Sequence, residues 1–226
     1  MLPEATVDQE YILGSCMDNL ITDKYDYCFT GIPCYEDLKV FGVDKNKPDT
    51  YKSKFLDWFV PRLTPRLGTV TIAFTGCRRS NSQILPKFFY LNQTFFQCGY
   101  LLKDVKYYIK KRGFDGYSHT IGHVYTFQKK NNKGITNLRS KKLYSTYGHD
   151  LWGPFSKEKV IDGEVVAQPI EVPQYCIQNF TNEGHVVYDP FGGLGTTGLA
   201  AKSCGRGYLV YEIRSEIHEA GTELFK

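Results

Sequence analysis

Apolar residues along the chain fall in short clusters bounded by Gly, Pro, Asn and Asp. Seven clusters, rich in β-branched and aromatic residues, read as strands: Tyr11–Leu13, Tyr25–Thr30, Thr69–Thr75, Val105–Ile109, Ile121–Gln128, His185–Asp189 and Tyr208–Glu212. Between some of them the period changes. Tyr51, Phe55, Phe59 and Leu63 step by four, which predicts a helix with one apolar face, and Pro61 must kink or end it. Strands alternating with helical patterns predict an α/β fold with a mostly parallel, Rossmann-like sheet. Residues 129–167, rich in Lys, Asn, Gly and Ser, are expected to form an irregular insert for target recognition within a single domain spanning 1–226.

Composition adds bounds. A chain of 226 residues, 42% hydrophobic, can bury the core of one domain and is not disordered. It has no run of 18 apolar residues to span a membrane, and its N-terminus lacks the basic and apolar regions of a signal peptide. Its cysteines, at 16, 28, 34, 77, 98, 176 and 204, are odd in number and form no CxxC pair. That speaks against a disulfide framework or a zinc site and for a reducing, intracellular setting. Net charge is only +4, but no Asp or Glu occurs from Gly116 to His149. Lys129, Lys130, Lys133, Arg139, Lys141 and Lys142 fall there, with Tyr144 and Tyr147 among them. This stretch is expected to face a polyanion.

The strongest chemical signal is "VVYDPFGGLGTTGLAAKSCGRGYLVYEI". An apolar strand ends at Asp189-Pro190, a glycine turn follows, a helix begins near Thr196, and a second strand ends at Glu212. Gly193, Gly195 and Gly198 satisfy GxGxxG, and Glu212 lies near the spacing at which an acid takes ribose hydroxyls. A nucleoside-bearing ligand is predicted. Residues 213–226 are too few to supply further strands, so the rest of the sheet must come from the N-terminal part, with the cofactor half last. The same shortness, and the Asp-Pro-Phe context, argue against a dehydrogenase.

"DPFGGLGTTGLAAKSCGRGYLVYEI" resembles the S-adenosylmethionine motif of the circularly permuted amino-methyltransferases, which act on DNA at N4 of cytosine or N6 of adenine. "AQPIEVPQYCIQNFT" resembles that family's helix over the cofactor, "DLWGPF" its D-x-W segment, and "YILGSCMDNL" with "YDYCFTGIPCYEDLKVFG" its opening and catalytic strands. The resemblance implies S-adenosyl-L-methionine as cofactor and DNA as partner, with RNA left open. It implies that Asp189, Pro190, Phe191, Gly192, Gly193, Gly195, Thr196 and Thr197 line the methionine and ribose side and that Glu212 accepts the ribose hydroxyls. Thr30 and Ser15 would border the same site, Ser15 standing where the family has an Asp.

The family's catalytic signature is Asp, Asn or Ser, then Pro-Pro, then an aromatic residue that stacks on a flipped base. Here the frame reads Gly31-Ile32-Pro33-Cys34, with Tyr35 next. Gly31 has no side-chain acceptor for the target amine. "TGIPCYED" resembles instead the Pro-Cys loop of C5-cytosine methyltransferases, in which a thiolate adds at C6. The expectation is therefore methylation of a DNA base, cytosine first, at C5 through a covalent bond to Cys34, with Pro33, Tyr35 and Glu36 beside it. Alternatives are amine methylation, with the Pro33 or Ile32 carbonyl accepting and Tyr35 stacking, and an inactive nucleic-acid-binding subunit. Arg78 and Arg79, after the Thr69–Thr75 strand, are expected to bind phosphate. His119 and His123 read as structural.

Overall fold

The structure is a computed structural model that describes residues 9–16, 24–35, 37–44, 46–75, 87–109, 121–137, 147–153, 155, 159–161 and 164–226. Its strands are β1 (Gln9–Leu13), β2 (Tyr27–Gly31), β3 (Thr69–Thr75), β4 (Tyr100–Ile109), β5 (Ile121–Lys129), β6 (Leu151–Trp152), β7 (Lys159–Ile161), β8 (Glu164–Ala167), β9 (Val186–Asp189) and β10 (Gly207–Glu212). Its helices are α1 (Asp57–Phe59), α2 (Lys87–Gln97), α3 (Glu171–Phe180), α4 (Thr196–Ser203) and α5 (Ser215–Thr222). Among the described residues the main sheet has eight strands in the order β1-β10-β9-β2-β3-β5-β4-β6. All neighbours are parallel except around β5, which runs antiparallel to β3 and β4. The last two strands in the chain lie between the first two, which is the permuted α/β order the sequence implies. No helix among the described residues is long and apolar enough to cross a membrane.

The junction between β9 and β2 joins the two halves of the chain, and polar bonds pin it at both ends. At its start, the Asp26 amide donates to Val186 O at 2.9 Å and the Asp26 carboxylate accepts from the Val186 amide at 2.8 Å. At its finish, Thr30 Oγ1 donates to Asp189 Oδ1 at 2.6 Å. Tyr27 and Phe29 pack on one face with Val172, Cys176, Phe180 and Ala200. Cys28 packs on the other with Ile72, Phe55, Phe59 and Phe127. Burial on both faces suits a strand central to an α/β sheet.

The four-step pattern at Tyr51, Phe55, Phe59 and Leu63 is buried as its period requires. The backbone there is less regular than one helix: a π-turn (Tyr51–Leu56), then α1, then a 3-10 turn (Val60–Arg62) containing Pro61, beyond which Leu63 is extended. Pro61 ends the segment because it has no N–H to continue it. This buried face matters for the site, since the Phe55 and Phe59 rings reach Phe191, with centroids at 5.8 and 5.2 Å.

The described residues of 129–167 include regular elements. Residues 129–137 run along the sheet end where β3 begins, with the Lys129 amide bonded to Gly68 O and Asn137 Nδ2 bonded to Gln178 O and Thr181 O. Further on, β6 extends the sheet beside β4, and β7 with β8 forms a separate antiparallel hairpin leading into α3.

The C-terminal residues brace the glycine turn from below. A Cβ on Gly195 would lie 2.5 Å from the Phe225 ring, and one on Gly198 would lie 2.9 Å from it. Phe225 also stacks with Tyr11 and lies tilted against Tyr208, with centroids at 5.3 and 5.2 Å. We expect Phe225→Ala to lower unfolding free energy by about 2 kcal/mol, as loss of a half-buried ring should, measured by urea denaturation. An unchanged midpoint and slope would refute this bracing role.

Candidate active site

The two segments that carry chemistry meet. The glycine turn leaves the C-terminal end of β9 and the Pro-Cys loop leaves the C-terminal end of the adjacent, parallel β2. In an open α/β sheet a crevice forms at such a place, where the chain departs in opposite directions. Here it is a cavity of about 560 Å³ lined by Ser15 after β1, by Pro33 and Cys34 after β2, and by Asp189, Phe191 and Gly193 at and after the end of β9. Pro190, Gly192, Thr196, Thr197 and Glu212 also line it.

Asp189 is 2% exposed, and three donors surround its carboxylate. Thr197 Oγ1 donates to Oδ2 at 2.5 Å, Thr30 Oγ1 to Oδ1 at 2.6 Å and the Phe191 amide to Oδ1 at 3.0 Å. Burial pushes its pKa up to about 6, the bonds from Thr197, Thr30 and Phe191 pull it down, and the Glu212 charge adds a further push upward. Glu212 does more than face a ligand. Its Oε2 accepts the Gly193 amide at 2.9 Å and its Oε1 the Arg214 amide at 2.9 Å, so it holds the turn as well as bordering the cavity. The Tyr11 hydroxyl donates to Gly193 O from the other side. Gly193, with φ of 53°, needs the left-handed conformation that glycine supplies without strain.

Three expected site residues stand elsewhere. Gly195 is not among the lining residues, since its missing Cβ makes room for Phe225 rather than for a ligand. Thr30 is fully buried and acts through Asp189. Tyr35 is 2% exposed and packs edge-on against Tyr51 at 5.4 Å, so its ring belongs to the core and not to a stacking surface for a base.

The described lysines of the basic stretch are also misplaced for the expected role. Because β5 runs antiparallel to β3, Gln128 pairs with Thr69 at the start of β3, and Lys129, Lys130 and Lys133 follow at the sheet end opposite the cavity. Lys129 bonds Cys98 O at 2.6 Å, and Lys130 lies 4.8 Å from the Phe96 ring. Glu36, Arg78, Arg79, Arg139, Lys141, Lys142 and His119 lie outside the described residues. His123 stacks on Phe74 at 5.0 Å, in keeping with a structural role.

Sequence reading missed Lys87 and Tyr51. Lys87, the first residue of α2, is 1% exposed. Its Nζ lies 3.4 Å from Cys34 Sγ and 3.5 Å from Pro33 O. Tyr51 donates its hydroxyl to Pro33 O at 2.8 Å. No motif marks either as a site residue: Tyr51 reads as part of an apolar helix face and Lys87 as an ordinary Lys until the fold brings them behind the loop.

The profile of the DNA methylase family, N6/N4 methyltransferases, matches residues 94–223, more than half of the chain. The chain belongs to this DNA methylase family. The matched span holds the glycine turn and Glu212 but not the Pro-Cys loop. YubD of Escherichia coli (strain K12), a methylase by name, is 30% identical over 132 residues, 58% of this chain and 52% of YubD. The chain thus spans about half the length of that curated relative. Among solved structures, the cytosine-N4-specific PvuII DNA methyltransferase shares the fold with a TM-score of 0.75 and 17% identity, over 98% of this chain and 87% of that one. TTHA0409 of Thermus thermophilus, complexed with S-adenosyl-L-methionine, does so with a TM-score of 0.70 and 18% identity, over 97% and 93%.

The Asp189 carboxyl gives a test. Its folded pKa stands above the ordinary 3.8, so the stability it contributes is fully present below that value and is lost as pH rises through about 6. Thr197→Val removes a donor to the carboxylate and should move the titration above about 6, followed by carboxyl ¹³C NMR on the ligand-free protein. A titration that stays in place or moves down would refute the assigned bonding.

Proposed function

We propose that the chain transfers the methyl group of S-adenosyl-L-methionine to the exocyclic amine of a DNA base, N4 of cytosine or N6 of adenine. The observation that carries this reading is the shared cavity, with the buried carboxylate of the glycine turn facing the Pro-Cys loop in a chain of the DNA methylase family. A sulfonium cofactor suits a cavity bordered by Asp189 and Glu212, because both carboxylates favour positive charge there. Glu212 retains lone pairs for ribose hydroxyls beyond those given to Gly193 and Arg214.

A base enters such a cavity only if extruded from its duplex. Its amine then needs an acceptor to turn the nitrogen lone pair toward the methyl group. Gly31 offers no side chain, and the Pro33 carbonyl already accepts the Tyr51 hydroxyl and a long bond from Lys87. The other loop carbonyl considered for the role is that of Ile32, also a cavity residue. The family's chemistry at nitrogen supports amine methylation over the C5 route through Cys34, which is set aside.

DNA would approach the open end of the cavity. The β7–β8 hairpin lies in sequence between β6, whose Trp152 pairs with the cavity residue Tyr108, and Gln168, itself a cavity residue. This hairpin, rather than the lysines after β5, is the recognition element this reading selects.

Incubation of the purified chain with DNA and labelled cofactor, followed by nucleoside mass spectrometry, should give N4-methylcytosine or N6-methyladenine. Appearance of 5-methylcytosine, or binding without transfer on any DNA, would overturn the reading. Cofactor affinity by calorimetry should weaken as pH falls below about 6, where Asp189 takes up a proton. Asp189→Asn should weaken binding about tenfold at neutral pH, the effect of roughly 1.4 kcal/mol, and flatten the pH dependence.

A further inference from the structure

A buried lysine behind a thiol that lines the base cavity is unexplained by the glycine turn and lies outside the family's matched span. We propose that Cys34, as a thiolate held against the Lys87 ammonium, is the side-chain acceptor for the target amine, replacing the one absent at Gly31. This rests on the amine-methylation reading above.

The geometry has three parts. Cys34 is half-buried and lines the cavity that also holds Asp189 and Gly193, so its sulfur can meet a base placed beside the cofactor. Lys87 Nζ approaches that sulfur to 3.4 Å from the side of α2, and a cation at that distance favours the thiolate. The loop is fixed. The Cys34 amide donates to Asp37 Oδ2 at 2.9 Å, and Pro33 O is held by Tyr51. Among the described residues, the charged or titratable groups around Cys34 are Lys87 from α2, Tyr51 from the π-turn behind Pro33 and Asp37 from its own loop, with Cys16, Tyr108, Asp189, Tyr211, Glu212 and Arg214 also lining the cavity.

The step balances. The amine N–H donates to Sγ⁻, the nitrogen lone pair attacks the sulfonium methyl, a C–N bond forms as the C–S bond breaks, and S-adenosylhomocysteine leaves neutral. The proton shed by the methylated nitrogen passes to the sulfur, giving a neutral thiol that later returns it to solvent. No oxidant or further reactant is needed. Unlike attack at C6 of cytosine, this role leaves no covalent bond between protein and base.

The test uses the full chain with Cys34→Ala, Cys34→Ser and Lys87→Met, each first shown by calorimetry to bind S-adenosyl-L-methionine as the wild type does. Cys34→Ala should lower kcat by about a hundredfold, the low end for loss of a positioned acceptor, and remove the acid limb of the kcat–pH profile measured at saturating cofactor, where the effect of Asp189 on cofactor affinity drops out. Lys87→Met should shift that limb to higher pH. It should also slow iodoacetamide alkylation of Cys34 at neutral pH, read by peptide mass spectrometry. That labelling reports on the Lys87–Cys34 pair even if the chain methylates nothing, which separates failure of this pairing from failure of the functional reading. A Cys34→Ala enzyme within threefold of wild type, an alkylation rate indifferent to Lys87→Met, or a denaturant-stable adduct between wild type and 5-fluorocytosine DNA would each overturn the proposal.

Discussion

One buried carboxylate holds the site together. Asp189 ends β9, accepts from Thr30 at the end of β2, and accepts from Thr197 in the first turn of α4. Those bonds join the central strand of the N-terminal part to the strand and helix of the C-terminal part. Burying a carboxylate is costly unless donors surround it, and here three do so, yet its pKa remains raised. The site therefore keeps an anion only partly compensated by the protein, poised for a cationic ligand to complete it. Because permutation delivers β2 and β9 from opposite ends of the chain, no local sequence preference could bring them together, and the junction relies on this tertiary bonding.

Around that anion the glycine turn is gripped from three directions. Glu212 takes the Gly193 amide, Tyr11 binds the Gly193 carbonyl, and Phe225 fills the space under Gly195 and Gly198. On the cavity side Phe191 leans on Phe55 and Phe59. A turn held this way is formed before any ligand arrives, so little ordering cost remains to binding. It also shows why glycines in one motif serve different ends. Gly193 supplies a backbone conformation, while Gly195 and Gly198 supply room for an aromatic ring.

The fold was largely legible because its signals are local: apolar runs, a four-residue step, and a strand–turn–helix with glycines at fixed offsets. All seven expected strands are present, and the sheet has the permuted order, with β10 and β9 between β1 and β2. What sequence could not give is direction in space. The basic stretch reads as aimed at a ligand, but one antiparallel strand carries Lys129, Lys130 and Lys133 to the far end of the sheet. Tyr35, next to the cysteine in sequence, turns into the core because Tyr51 offers it an edge contact there. Lys87 reaches the loop from 53 positions away, and no spacing rule spans that distance.

Charge balance explains why a lysine at this position is compatible with the chemistry. A cavity that must admit a sulfonium is poorly served by a further positive charge at its wall, since desolvated charges interact strongly. Lys87 adds such a charge 3.4 Å behind Cys34. A neutral thiol would leave that cation to oppose the cofactor, whereas a thiolate cancels it locally and presents an acceptor to the incoming base. The loop that lost its acceptor at Gly31 and the helix that brings Lys87 behind it are thus two parts of one electrostatic arrangement.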